Sequence, residues 1–500
     1  MSAASLMAAV GIQPPAAFAA KVGDNASVYT RVGAQPFINL TATYTINGGA
    51  LTRPEVKRVM EEASYWPVNL DELMEKVGAH LAKLLGAESA IVTSGAAAAL
   101  THATSGAVAG TDPEKMQQLP DLTGLKNEVV IPKQSRNPYD HAIRTVGVKM
   151  VEVSAPEQIE AAITERTALV AMLGTGEPNG PVKLEHLAAA AHKRGIPVLV
   201  DGAAELPKVP NPFLSRGADM VAYSGGKFLR GPQCAGLLIG RKDCIAAAWA
   251  NSSPHHTFGR AMKVGKEEIM GMVAAIEVWR NNYDLEGEYR TWNGWLKEIG
   301  DRVARIDGVK YQLKPPAGAS PFPVMDVSWD SAKIGFNAGE VGQLLLNGNP
   351  RIMSHAEGEG YGFRIRPVAM KAGEAKLVAQ RLEEILKSAP KGVGEKPAKA
   401  PVADISGEWS VELTFKVGTA KHKLELQASG NQVTGTHRGR VANGKSAGTI
   451  NGDEVTLSSS LRYEGQTLQY RFRGKVQGNR MNGDVDLGEY GSATFTAVRG

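Results

Sequence analysis

The chain has 500 residues, 43% of them hydrophobic and 21% charged, with 56 glycines and 27 prolines. That is long enough for a large enzyme unit plus an appended module, and it excludes a collagenous or broadly disordered chain. Lys and Arg number 56 against 51 Asp and Glu, a net charge of +5, and no basic run gives a nucleic-acid footprint, so no nucleic acid is expected as partner. The two cysteines, Cys234 and Cys244, cannot build a disulfide framework, and no Cys/His spacing suits zinc, so no metal is expected.

The first twenty residues carry no charge and close on Ala17-Phe18-Ala19-Ala20, a small-residue cleavage pattern. Residues 1–28 therefore read as a signal-like or disordered leading segment. A signal peptide whose start lies upstream of Met1 implies a periplasmic or exported protein, and an Ala-rich tail implies a cytoplasmic one. No stretch approaches the ~20 apolar residues of a membrane span.

Residues 29–270 alternate short apolar runs with helical patterns, which predicts an α/β domain with a mostly parallel sheet and helices on both faces. Expected strands are 89–93, 128–131, 149–153, 168–173, 197–200 and 220–222. Expected helices include 70–85, 96–108, 156–164 and 184–194. From 271 to 387 the chain reads as a smaller α+β region: a long helical pattern over 269–305, strands at 324–327 and 363–365, and a helix over 372–387. Trp279, Trp292 and Trp295 fall at helical spacing and read as packing anchors. Residues 388–404, rich in Pro, Lys, Ala and Gly, form a linker. Residues 405–500 alternate in β-prone runs separated by turns such as Gly430-Asn431, Asn451-Gly452-Asp453 and Gly478-Asn479, which predicts an all-β antiparallel barrel or sandwich.

Three marks lie at the ends of the expected strands. Thr93-Ser94-Gly95-Ala96 joins a strand to a helix, where free N–H groups, a hydroxyl and a glycine suit an anion. Asp201 ends the buried run Ile196-Pro197-Val198-Leu199-Val200, at the edge where open α/β sheets bind ligands, although it also suits a helix N-cap. Lys227 follows Tyr223-Ser224-Gly225-Gly226, and a lysine held in such a crevice loses solvation and becomes a nucleophilic amine. An anion cradle, a strand-end carboxylate and a strand-end amine together meet the needs of pyridoxal 5'-phosphate.

These residues also carry a resemblance. With Phe37-Ile38-Asn39-Leu40-Thr41, Gly147 to Val153, Val200-Asp201-Gly202-Ala203-Ala204 and Gly231-Pro232-Gln233-Cys234-Ala235-Gly236, the stretch from Arg31 to about Lys387 resembles fold-type I pyridoxal-phosphate enzymes. Within them it is similar to the bacterial selenocysteine synthase (seryl-tRNA selenium transferase) family and its D-glucosaminate-6-phosphate ammonia-lyase-like relatives. The resemblance implies a seven-stranded-type sheet and a small α+β domain. It implies Lys227 as the Schiff-base lysine, Asp201 as partner of the pyridinium nitrogen, and Ser94, Gly95, Ala96 and Ser224 as the phosphate cradle. Ala203 would face one side of the ring and Gln134 the other, with Tyr139 and His141 as alternatives. Arg364 and Arg366 are the candidates for a substrate carboxylate.

The same resemblance implies a lyase acting on a small amino acid or amino-sugar acid by α-proton abstraction and β-elimination, in at least a homodimer. Racemase, aminotransferase and β-replacement transferase chemistry stay open, as does a silent fold whose β module carries recognition. Only the residues before Arg31 precede the match, so a tRNA substrate is not expected.

Overall fold

The computed structural model describes residues 28–317, 320–358, 360–391 and 398–500. The expected signal-like segment, apart from Val28, and part of the expected linker, 392–397, lie outside the described residues.

Seven strands build the central sheet in the order Ser89–Thr93, Gly236–Gly240, Met220–Ser224, Val198–Asp201, Thr167–Leu173, Glu128–Pro132, Lys149–Val153. Gly236–Gly240 runs antiparallel to both neighbours and the remaining pairs are parallel. Burial on both faces makes the inner strands continuous apolar runs rather than alternating ones. Two corrections to the sequence reading follow from position. Lys149–Val153 was expected to be buried, but it is the sheet edge and buries only Val153. Gly236–Gly240, Gly-Leu-Leu-Ile-Gly, went unread as a strand because glycines bracket it, yet it is buried throughout.

Helix Leu70–Leu85 starts where the Asn69 side chain accepts the Asp71 and Glu72 N–H groups, and it ends at Gly86, whose φ is +65°. The next helix, Gly95–Ala109, is buried over most of its length, which its run of alanines permits. The expected long helix over 269–305 is two: Lys266–Asn281 and Leu285–Val303, the second capped by Asp284 through the Gly287 N–H. The break gathers Trp279, Tyr283 and Trp292 around Phe228, with ring centroids 6.4, 6.1 and 6.1 Å away. This aromatic knot fixes the residue next to Lys227.

The small domain is a three-stranded antiparallel sheet, Gly362–Ile365, Val324–Trp329 and Val309–Lys314, covered by helices Leu285–Val303 and Glu374–Ser388. At the carboxyl end of the chain, eight strands from Gly407–Thr414 to Ser492–Arg499 form a closed antiparallel barrel. The sequence left barrel and sandwich open; closure is made by the last strand pairing with the first, Trp409 opposite Arg499 through Thr414 opposite Thr494. Strands Asn443–Asn451 and Arg480–Asp486 were not expected, because their Gly, Asn, Ser and Asp read as turn chemistry. Interior positions, Trp409, Val411, Leu413, Phe472 and Phe495, fill the barrel.

Candidate active site

The register of the central sheet assembles the site. Gly236 pairs with Thr93 on one side and Ser224 on the other, so the Ser94-Gly95-Ala96 turn and Ser224 flank it at one edge. A Cβ on Gly236 would lie 2.2 Å from the Gly95 carbonyl carbon, so only glycine lets that turn sit down on the sheet. Gly95 has φ +78° and open space where its Cβ would be, and the Ser94 hydroxyl makes no capping bond to the helix it starts. The start of this helix, the uncapped Ser94 hydroxyl and the open space at Gly95 are features that could hold a phosphate.

Asp201 pairs with Ala222 in the neighbouring strand, which brings it to the same edge as Ser224 and Lys227. Its carboxylate accepts the Ala203 N–H at 3.0 Å. Complete burial pushes the Asp201 carboxyl above its ordinary range, against the opposing pull of that hydrogen bond and of Lys227. Lys227 is half-buried, and burial depresses its amine while Asp201 partly restores it. The pair is thus matched: a buried carboxylate and a desolvated amine, each supporting the charged form of the other.

The Lys227 Nζ lies 5.4 Å from the centre of the Tyr139 ring. Gln134 is directed elsewhere, its amide donating to the carbonyls of Val182 at 2.8 Å and Glu177 at 3.2 Å. Of the three residues considered for the ring-covering position, Tyr139 is thus the one whose ring faces the amine. His141 is exposed and opens the short helix His141–Arg144.

On the small-domain side, Arg364 and Arg366 share a cleft with Tyr44, Asp326, Ser328 and His355. They are not equivalent. Arg364 grips Asp326 through two bonds, Nε to Oδ1 at 2.6 Å and Nη2 to Oδ2 at 2.9 Å. Arg366 makes no ion pair among the described residues, and burial lowers its guanidinium pKa. His355 packs edge-on to Tyr44 at 4.7 Å. Tyr44 and His355 escaped the sequence reading because single aromatic and imidazole residues in loops carry no spacing signal.

The residues present fit pyridoxal phosphate. Besides the cradle, two buried polar atoms at the site, Gln233 Oε1 and His355 Nε2, have no hydrogen-bond partner among the described residues. A built but unsatisfied polar lining is what a bound group completes.

Comparison with known proteins agrees with this geometry. A family profile described as Aminotransferase class-V matches residues 56–263. D-glucosaminate-6-phosphate ammonia lyase of Salmonella typhimurium is 30% identical over 375 residues, 73% of this chain and 99% of that protein. A solved structure of D-glucosaminate-6-phosphate ammonia-lyase superposes with a TM-score of 0.65 at 29% identity, covering 73% of this chain and 99% of that one. The 5'-C-glycyluridine monooxygenase-decarboxylase of a Streptomyces species is 30% identical over 73% of this chain and 94% of its own. The L-seryl-tRNA(Sec) selenium transferase of Rhizobium meliloti is 29% identical over 62% of this chain and 70% of its own. The ammonia lyase is matched almost end to end, yet more than a quarter of this chain has no counterpart in it. The chain belongs to the fold-type I pyridoxal-phosphate enzymes, in the family that includes D-glucosaminate-6-phosphate ammonia lyase.

Proposed function

We propose that the protein is a lyase that removes the α-proton of a small amino acid or amino-sugar acid and expels the group on its β-carbon. The observation that carries this reading is the meeting of buried Asp201 with half-buried Lys227 at the strand ends, with the Tyr139 ring 5.4 Å from the amine. Pyridoxal phosphate, when bound, supplies the electron sink for the pair left behind by the α-proton. Ser94, Gly95, Ala96 and Ser224 hold its phosphate. The Asp201 carboxylate would keep a proton on the cofactor's ring nitrogen, because a carboxylate this buried is best satisfied by a bonded cation. Ala203 and Tyr139 would border the bound cofactor, and Lys227 Nζ would hold it and serve as the base that moves the α-proton. Arg366 receives the substrate carboxylate, since its planar fork fits one bidentately and Arg364 is already engaged.

Two further expectations belong to this reading. Association into at least a homodimer is supported by the family resemblance and by the exposed Tyr65 and Trp66, 65% and 70% accessible. Export is supported by the uncharged small-residue composition of the first twenty residues.

The experiment is an absorbance spectrum before and after borohydride, for wild type and Lys227→Ala. Wild type is expected to lose a band near ~420 nm that the variant never forms. Release of ammonia and a 2-oxo acid from a panel of amino acids and amino-sugar acids then supports elimination. Inversion, amino-group transfer or β-replacement without net ammonia overturns it in favour of the corresponding rival. A cofactor-supplemented wild type with no reducible band overturns the Lys227 assignment itself.

A further inference from the structure

The barrel reaches the active site. The hairpin between strands Glu454–Tyr463 and Gln466–Gln477 turns at Glu464-Gly465. Glu464 adopts φ +51°, a backbone conformation that residues other than glycine keep only where their surroundings over-determine it. Its carboxylate pairs with Arg136, two residues beyond Gln134. Arg136 is a fully engaged cation: its side chain is 2% accessible, Nε bonds Asp140 at 2.6 Å, Nη1 bonds Glu152, and Nη2 bonds Glu464. Two of these carboxylates come from the large domain and the third from the barrel. Without the barrel, one end of a buried guanidinium loses its partner, a costly state that indicates a surface shaped to receive this hairpin.

The neighbouring glycine makes the approach close. A Cβ on Gly465 would lie 2.2 Å from the Asn137 carbonyl oxygen and 2.7 Å from Asp140 Oδ2. Asn137 and Asp140 bracket Tyr139: the Asn137 side chain accepts the Tyr139 N–H at 2.8 Å, and Asp140 Oδ2 accepts the Asn137 N–H at 3.3 Å. Ser135, Asn137, Asp140 and Asp201 are among the residues that line one small cavity. On the barrel, Gln466 donates to Glu489 Oε1 at 2.9 Å and to the Tyr490 hydroxyl at 3.2 Å, so the hairpin is braced by the turn Gly488–Tyr490. Burial raises the Tyr139 hydroxyl pKa, and Tyr44, Asp201 and Glu489 raise it further, so groups from the large domain and the barrel act on one ring.

We propose that the barrel is a working part of the active site: Glu464, through Arg136 and the 137–140 turn, holds Tyr139 over the Lys227 amine and so sets how small amino-acid-like ligands reach the cofactor. Glu464 is a positioning residue in this scheme, acting through Tyr139. The inference rests on the Lys227 reading above.

The test uses the full chain loaded with pyridoxal phosphate and aminooxyacetate as probe, a small amine nucleophile bearing a carboxylate. Its amino nitrogen displaces the lysine from the cofactor carbon, forming the oxime C=N and releasing the Lys227 amine, which is read as loss of the lysine-bound absorbance. Glu464→Ala, Glu464→Gln, Tyr139→Ala and the Glu464→Ala/Tyr139→Ala double variant are compared, with Lys423→Ala as control. Lys423 pairs with Glu408 on the exposed barrel wall. The lysine-bound band is expected in all of them. The aminooxyacetate concentration for half-maximal rate is expected to rise about tenfold in both Glu464→Ala and Tyr139→Ala, with no further rise in the double variant. Glu464→Gln, which keeps the size and removes the charge, is expected to fall between wild type and Glu464→Ala and serves where the alanine variant folds poorly.

Additive effects in the double variant, or Glu464 variants that behave like Lys423→Ala, overturn the barrel's role and leave the Lys227 reading intact. Absence of the lysine-bound band in wild type overturns both.

Discussion

Two buried groups of titratable side chains in this molecule invite comparison. At the strand ends, Asp201 and Lys227 are shifted by burial, and the Tyr139 ring lies 5.4 Å from the Lys227 amine. Inside the barrel, His422 Nδ1 and His437 Nε2 share a hydrogen bond of 2.9 Å, with the Tyr470 and Phe472 rings 4.9 and 5.6 Å from His437. Burial there depresses both imidazoles, His437 to about 3. Burial is the first cause of the shift in both places, and the surroundings differ. The strand-end pair lies beside a helix-start turn and hydroxyls from several elements, whereas the histidines are enclosed by eight strands, joined by one hydrogen bond, with His437 Nδ1 lacking a partner among the described residues. A displaced pKa reports burial; convergence on an opening makes a site.

The largest test of that contrast is Asp201→Asn. It is expected to lower α-proton exchange in deuterated water by about 100-fold or more, because a neutral amide no longer stabilises the protonated ring. In the cofactor-free protein the same change is expected to move Lys227 titration further down. Burial lowers the amine and Asp201 raises it, so removing the carboxylate leaves burial unopposed. Mass spectrometry of Lys227 labelling against pH reads this, and an upward shift would contradict the pairing.

The barrel histidines predict an effect on stability rather than chemistry. His437 stays neutral when folded and takes a proton near 6.5 when unfolded, so its contribution is complete above that pH and is lost as pH falls toward about 3. The loss approaches about 1.4 kcal/mol per pH unit within that window. In His437→Phe, hydrogen exchange of barrel peptides is expected to be faster at pH 7, from the lost hydrogen bond worth about 1 kcal/mol, and much less sensitive to acid. Equal acid sensitivity in variant and wild type would remove the histidine account.

The smallest effect on stability concerns the two arginines. The Arg364 side chain holds the Asp326 carboxyl down to about 2. A carboxyl depressed in the folded state stabilises above its unfolded pKa, so the benefit is present above pH ~4 and is lost as pH falls through about 2. Arg364→Met is therefore expected to lower the thermal midpoint slightly at pH 7 and to leave the half-saturating aminooxyacetate concentration nearly unchanged. Arg366→Met is expected to raise that concentration strongly while leaving the midpoint in place. Equal effects of the two would argue against dividing their roles.

Much of the frame was legible in the chain itself. Helix Leu70–Leu85 and strands Ser89–Thr93 and Lys149–Val153 lie at the expected positions, because caps, glycines and apolar runs act over a few residues. The Thr93-Ser94-Gly95-Ala96 turn, Asp201 and Lys227 could be picked out for the same reason: each lies at or just past the end of a buried strand, where such sheets bind ligands, while Ser224 came from the family resemblance. What escaped depends on contacts between distant segments. Gly236–Gly240 becomes a strand only because it fills the gap between Thr93 and Ser224. Tyr139, rather than Gln134, faces the amine because Gln134 is drawn to the carbonyls of Glu177 and Val182.

The sequence by itself therefore determined many of the elements, the α/β fold class and the carboxyl-terminal all-β module, since local propensity and burial period are written residue by residue. Only the tertiary structure decided that the last barrel strand meets the first, that Arg364 is spent on Asp326 while Arg366 makes no ion pair among the described residues, and that Glu464 reaches Arg136. Closure, ion pairing and docking join residues tens to hundreds of positions apart, and no local pattern encodes which partner is nearest once the chain is packed.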